Sequence, residues 1–386
     1  MRIVVDARPA LDPHRTGVGH YTTAVLRHVP PIDPEHRYVA WYLDVRGTFT
    51  NRRWFRGWSP NLSERATRIP TRVYQPVAMR VGVPRIEWVA GRFDLCLATN
   101  FLPPPTAGRG VVLVVHDLAF DHMPETAPHH DARWRRRFEV SLGRAAGVLV
   151  PSEATRTDLL RFHDVDPAVV RVIPHGTDAE AFRPARPAEV DAVRHRYGIG
   201  GRYVLFLGGL EPRKNVEPLV RAFGRVETQD IALVIAGGPV RWAPDYQARV
   251  ERAIAALPAA ARARIVRTGY VADEDRRALL SGAEVLAYPS RYEGFGFPVL
   301  EGFAANVPVL TSDVSALPEV AGEAALLVDP RDADAIARGL DELLGDEDLR
   351  NVLRAAGTTR VAAFTWERCA RATVEALHQA YARVAG

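Results

Sequence analysis

The chain has 386 residues, 47% apolar and 25% charged. That mix excludes a disordered or collagen-like chain and points to two or three domains at about 100–200 residues each. The net charge is +4, with the excess in residues 1–180 (24 Arg against 19 acids). No Lys/Arg block or zinc-finger spacing occurs, so a nucleic-acid partner has no support.

Met1–Asp6 reads as a first strand and lacks the apolar core of a signal peptide. No apolar run approaches the roughly 18 residues of a membrane span. Cys96 and Cys369 are the only cysteines, which fits neither a disulfide framework nor a metal motif and suits a reducing compartment. The expected location is cytoplasmic, with any membrane contact peripheral and at the inner face.

Short apolar runs follow in chain order: Ile3–Val5, Val111–Val115, Val148–Val150, Val204–Leu207, Leu233–Ala236, Val285–Ala287, Val307–Leu310 and Ala325–Val328. Continuous Val/Ile/Leu runs suit parallel strands buried on both faces. Tyr246–Ala256 and Asp332–Leu344 read as helices. Strand alternating with helix predicts an α/β fold with parallel sheets. The segment Phe182–Pro187 reads as a linker, so the chain divides into two halves. Open parallel sheets bind ligands at the carboxyl ends of their strands, which would set two such edges across a polar cleft.

Four motifs stand near predicted strand ends. Thr16-Gly17-Val18-Gly19-His20-Tyr21 follows the first strand; its glycines allow close backbone approach to a phosphate. Thr22 occupies the place of a third glycine, so it is not a dinucleotide fingerprint. His116-Asp117 ends the Val111–Val115 strand, where a histidine can touch a substrate hydroxyl or simply hydrogen-bond within the fold. Gly208-Gly209-Leu210-Glu211-Pro212-Arg213-Lys214-Asn215 sets two adjacent cations beside glycines, a combination suited to a diphosphate. Lys214 is the only lysine among 50 basic residues. Tyr292-Glu293-Gly294-Phe295-Gly296-Phe297-Pro298-Val299-Leu300-Glu301 places one carboxylate before a glycine-rich loop and another in the helix that Pro298 opens.

Three Asp-x-Asp pairs have the spacing of a nucleotide-bound metal site: Asp164/Asp166, Asp273/Asp275 and Asp332/Asp334. Each adjoins a turn or a helix start, so capping is the preferred reading and no metal is expected. The runs Arg52–Arg56 and Trp134–Phe138 interleave Arg with aromatics. They read as solvated surface, with an anionic membrane as the alternative partner.

Glu293 and Glu301, with seven residues between them, resemble the Glu-x7-Glu signature of family-four retaining glycosyltransferases, enzymes of the GT-B fold. Pro151-Ser152-Glu153, Ile173-Pro174-His175-Gly176-Thr177-Asp178, Ala236-Gly237-Gly238, Thr268-Gly269-Tyr270-Val271 and Phe364-Thr365-Trp366-Glu367 extend the resemblance, in the family's order, along nearly the whole chain. It implies two Rossmann-like parallel-sheet domains facing across a cleft. They would span 1–182, with the last helix (about 367–386) returning to the first domain, and 200–366. It implies that Arg213 and Lys214 bind the donor diphosphate and that Glu301 holds the ribose hydroxyls. Glu293 and the backbone of Gly294, Phe295 and Gly296 would hold the transferred sugar. His116 would lie by the reacting carbon, Gly17 and Gly19 by the diphosphate, and Val271 by the base, with Gly209 in the donor loop. Asn306 stands where the family has Gly; Asn suits a left-handed backbone next best.

The implied reaction is retaining hexosyl transfer, mannose from GDP-mannose first, from a nucleotide-sugar donor to a glycan or lipid-linked acceptor, with no cofactor. A sugar-nucleotide epimerase of the same fold and a non-catalytic glycan-binding scaffold are the alternatives. A pyridoxal-dependent phosphorylase is disfavoured, because the only lysine lies inside the diphosphate motif.

Overall fold

The computed structural model describes residues 1–12, 16–44, 53–108, 110–126, 130–240 and 242–386. Arg52, the first residue of one Arg/aromatic run, lies outside the described residues. The chain forms two units: Met1–Leu118 with His130–Gly176 and Trp366–Gly386, and Ala119–His129 with Thr177–Thr365. Each is built on its own all-parallel sheet, the arrangement that both alternation of elements and apolar runs predict.

The first sheet has seven strands: β1 (Arg2–Asp6), β2 (Arg37–Leu43), β3 (Leu62–Thr67), β4 (Leu95–Ala98), β5 (Val111–Val114), β6 (Gly147–Val150) and β7 (Val170–Val172). Their order is β3-β2-β1-β4-β5-β6-β7. Side chains alternate across β1, so the sheet is apolar on both faces. Ile3 and Val5 join Leu97, Val112 and Leu377 on one side, and Val4 joins Val39, Trp41 and Tyr74 on the other. The Trp366–Ala385 helix covers the first face and packs along the Gly17–Ile32 helix. The same helix also packs on β6.

The second sheet has six strands: β8 (Arg202–Leu207), β9 (Ile231–Ala236), β10 (Ile265–Gly269), β11 (Val285–Tyr288), β12 (Val309–Ser312) and β13 (Ala325–Val328). Their order is β10-β9-β8-β11-β12-β13. Every residue of β9, β11 and β12 is buried. Asn306, just before β12, has φ 59° and so occupies the left-handed region that favours Gly or Asn. The outgoing and returning chain segments are joined where Thr177 N donates to Phe364 O at 2.9 Å. Residues 119–129 belong to this unit; Ala119 and Met123 are buried with Tyr292, and His122 stacks on the Tyr292 ring at 4.5 Å.

Ser152 caps the Glu153–Phe162 helix by accepting from Thr155 N, which gives the Pro151-Ser152-Glu153 motif a local structural task. In the two Arg/aromatic runs, Phe55 and Phe138 are core residues, and Trp134 stacks on Phe138. Those aromatic side chains serve packing within the unit. Both cysteines are buried and unpaired as disulfides. Among the described residues, no helix is long and apolar enough to cross a membrane.

Candidate active site

The second sheet reverses its strand order between β8 and β11. Open parallel sheets take ligands at the carboxyl ends of strands beside such a reversal. The loops after these two strands carry most of the predicted site. After β8 come Gly208 and Gly209, then a single 3₁₀ turn, Pro212–Lys214, closed by Asn215 with φ 63°. Asn215 Nδ2 donates to Pro330 O at 2.6 Å, which fixes the turn. After β11 comes the loop through Glu293 to Gly296, and then the Phe297–Ala304 helix with Pro298 in its first turn. Gly296 has φ 112°, and a Cβ there would lie 2.7 Å from Leu317 Cδ2. Backbone conformation and crowding both require glycine.

The two loops meet through their charges. Arg213 Nη1 donates to Glu293 Oε2 at 2.7 Å and to Tyr292 O at 3.3 Å. Arg213 Nη2 lies 2.9 Å from Glu211 Oε1. Lys214 Nζ lies 2.5 Å from Glu293 Oε1 and donates to the Tyr288 hydroxyl. Tyr288 in turn donates to Glu293 Oε1 at 2.7 Å. Lys214, Tyr288 and Glu293 are all buried.

Burial alone would raise the Glu293 carboxyl, but Arg213 and Lys214 overcome it and hold the group at about 2. Burial and the adjacent Arg213 pull Lys214 below the usual lysine range, with Glu293 and Glu211 opposing. Burial and the Glu293 charge push Tyr288 well above the usual phenol range, so its proton stays on. The arrangement is therefore two cations paired with two carboxylates, Glu211 and Glu293, at a strand's carboxyl end.

Glu301 is buried on the Phe297–Ala304 helix and paired with Arg276 from the Asp273–Ser281 helix. Its carboxyl is raised by burial, with Arg276 opposing. Arg276 and Tyr288 escaped the sequence reading. Tyr288 directly follows an apolar run and reads as core, whereas Arg276 has no local mark among 49 arginines.

The remaining predicted residues of this unit line the same sheet edge. Gly208 N donates to Ala236 O and Leu210 N to Gly238 O, each at 2.9 Å, so the two glycine pairs run backbone to backbone. A Cβ on Gly209 would lie 2.8 Å from Val240 Cγ1. Val271 lies just past β10 and is buried, next to the exposed Tyr270. Gly294 is buried in the loop, and the Phe295 side chain packs edge-on against Phe297 and Phe364. That ring is core rather than ligand surface.

The first unit holds the other three. Gly17 and Gly19 fall in the first turn of the Gly17–Ile32 helix rather than in a loop ahead of it. Tyr21, one turn on, meets the His116 ring edge-to-face at 5.1 Å. His116 Nε2 lies 2.8 Å from Thr99 O, and its Nδ1 lies 3.2 Å from His175 Nε2. A carbonyl only accepts, so Nε2 carries the proton and His175 Nε2 donates to Nδ1. Burial lowers His116 below the usual histidine value, with the Thr99 bond opposing. Burial, then His116, lowers His175 further. His175 is a third residue whose part here the sequence reading missed, although its motif was noted.

The three Asp-x-Asp pairs have other duties. Asp332 accepts from Asp334 N and Asp166 from Ala168 N, both at 2.8 Å. Asp275 is held by Arg196 at 2.5 and 2.6 Å and by the Tyr197 hydroxyl at 2.9 Å.

Comparison with known proteins decides the family. The family model described as Glycosyltransferase Family 4 matches residues 16–181, and Glycosyl transferases group 1 matches 192–360. The O-antigen chain mannosyltransferase B of Escherichia coli is 34% identical over 285 residues, 72% of each chain. The chain belongs to the family-four glycosyltransferases. A second relative, the MMP alpha-(1->4)-mannosyltransferase of Mycolicibacterium hassiacum, is 31% identical over 76% of this chain and 72% of its own. The fold of this glycosyltransferase is GT-B. Anabaena HepE in complex with UDP and glucose superposes with a TM-score of 0.73 at 16% identity, covering 98% of this chain and 99% of that one. Sucrose-phosphate synthase from Thermosynechococcus elongatus gives 0.73 at 18% identity, covering 99% and 100%.

Proposed function

We propose that this glycosyltransferase moves a hexose, mannose first, from a nucleotide sugar to an acceptor hydroxyl with retention at the anomeric carbon and without a metal. GDP-mannose is the preferred donor. The convergence of Arg213 and Lys214 on Glu293 beside the strand reversal carries the reading. Mannosyltransferase relatives on more than two thirds of their length support the choice of sugar.

As the glycosidic bond breaks, negative charge grows on the leaving diphosphate. Arg213, Lys214 and backbone N–H groups at the start of the Phe297–Ala304 helix are assigned to stabilise it. Charge-assisted hydrogen bonds are worth about 1.5–3 kcal/mol each. Glu301 is assigned to the ribose hydroxyls, which would compete with Arg276 for its carboxylate. Glu293 and the Gly294–Gly296 backbone are assigned to the sugar hydroxyls. The ion pairs of Glu293 support a second task, holding the two cations in place before the donor arrives. Val271 is assigned to the base and Gly17 and Gly19 to the diphosphate. His116 is assigned to a sugar hydroxyl, which requires its bond to Thr99 or His175 to open. The acceptor attacks from the face that the diphosphate leaves, so no glycosyl-enzyme forms.

The test is a thermal-shift screen of GDP-, UDP-, ADP- and dTDP-hexoses, followed by transfer to a lipid-linked or free glycan and assignment of the product anomer by NMR. A shift with GDP-mannose and an α-mannoside product support the proposal. An inverted product, or no shift with any nucleotide sugar at millimolar concentration, contradicts it.

A further inference from the structure

The first unit gathers another set of chemistry-bearing groups, away from the strand ends that carry the transfer residues. Asp33 is the C-cap of the Gly17–Ile32 helix. His36 follows at the amino end of β2, the sheet edge opposite the one that His116 follows. His378 comes from the Trp366–Ala385 helix. One donor atom from each lies within 4.8 Å of the others. His36 Nδ1 is 2.7 Å from Asp33 Oδ1, and His378 Nε2 is 3.5 Å from the same oxygen. The two rings stand at 73° with centroids 4.9 Å apart.

Two imidazoles and one carboxylate suit a borderline divalent ion such as zinc, and suit the all-oxygen preference of calcium or magnesium poorly. Zinc bound tetrahedrally at roughly 2.0–2.2 Å keeps its donors about 3.3 Å apart. The separations of 2.7 and 3.5 Å from Asp33 Oδ1 bracket that figure. The surroundings hold the donors in position. Tyr38 donates to Asp33 Oδ2 at 2.5 Å, which turns Oδ1 toward the two rings. Asn61 Nδ2 donates to the main-chain oxygens of Pro30, Asp33 and His36 at 2.9, 3.0 and 2.8 Å, so the turn is clamped. Asp33 is buried whereas His378 is exposed, leaving a fourth position for water.

We propose that Asp33, His36 and His378 form a zinc site that clips the Trp366–Ala385 helix to the turn after Gly17–Ile32. The ion is structural: it ties the Trp366–Ala385 helix to the turn that leads into β2. The site is independent of the donor reading.

The test titrates the full-length, tag-free protein with zinc chloride by calorimetry and follows the melting temperature; cobalt chloride reports the ligand set by its visible absorption. The wild type takes up one zinc per chain, melts higher with zinc, and gives a four-coordinate cobalt spectrum. His378→Ala weakens binding by at least about tenfold and loses both signals. His378 lies outside the transfer site, so glycosyl transfer by His378→Ala is unchanged and certifies its fold. One-equivalent binding that survives in His378→Ala, or no zinc uptake by the wild type at micromolar concentrations, overturns the proposal.

Discussion

Lys214 Nζ lies 2.5 Å from Glu293 Oε1, and the Tyr288 hydroxyl bonds to both. The only lysine of the chain is thus tied to the first glutamate of the Glu-x7-Glu pair. The pairing links the loop after β8 with the loop after β11, and Glu293 compensates the buried Lys214 and the half-buried Arg213 together.

Removing the Glu293 charge should cost both fold stability and activity. Deleting one partner of a buried pair typically costs about 3–5 kcal/mol, because the other charge is left uncompensated. In Glu293→Gln, Arg213 keeps Glu211 at 2.9 Å, so the loss falls mainly on Lys214. The melting temperature should drop, and a nucleoside diphosphate should restore more of it than it adds to the wild type. Equal ligand-induced shifts in the two proteins would sever Glu293 from the cation cluster.

Lys214→Ala should lower turnover by one to two orders of magnitude, at roughly 1.4 kcal/mol per factor of ten. Lys214→Arg should not rescue it. A compact ammonium fits between the Tyr288 hydroxyl and Glu293, and a planar fork does not. Steady-state kinetics on the two variants decide the point, and near-wild-type turnover in either removes the ammonium from the mechanism.

Gly237→Ala should destabilise the second unit severely, by about 3 kcal/mol or more. Gly237 has φ 153°, and a Cβ there would collide with Gly208 O, a backbone atom that cannot step aside. Urea denaturation measures the loss. A stability within about 0.5 kcal/mol of the wild type, the usual range for a harmless surface change, would contradict the close backbone contact.

The buried histidines of the first unit set a pH dependence. Burial lowers His116 and His175 below their ordinary value, so below about pH 6.5 the unfolded chain binds protons that the folded one refuses. Stability is therefore full above that pH and falls as pH drops through and below it. Melting temperatures between pH 7.5 and 5.5 should show the fall, and His175→Gln should flatten it. An unchanged slope in that variant would mean that His175 is not the group responsible.

The legible part of the fold was the part written in uninterrupted apolar residues. Val111–Val114, Ile231–Ala236 and Val285–Tyr288 are central strands, and their runs leave little choice. The edge strands β3, β7 and β10 were not legible, because Leu62–Thr67, Val170–Val172 and Ile265–Gly269 mix charged or polar side chains into a half-covered face. β2 and β4 were missed for other reasons. Arg37–Leu43 breaks its aliphatic run with Tyr38, Trp41 and Tyr42, and Leu95–Ala98 has no β-branched residue. In the site, Arg213, Lys214, Glu293 and Glu301 were legible because glycines and spacing mark them. Tyr288, Arg276 and His175 act through contacts made only when distant loops or helices meet, and no local pattern announces such partners.

The most direct measurement is the calorimetric affinity of GDP and GMP for the wild type and for Lys214→Ala. If Arg213 and Lys214 grip a diphosphate, the wild type prefers GDP, and Lys214→Ala weakens GDP by about tenfold or more, the loss of one charge-assisted bond, while changing GMP less. Unchanged GDP affinity in Lys214→Ala would contradict the account.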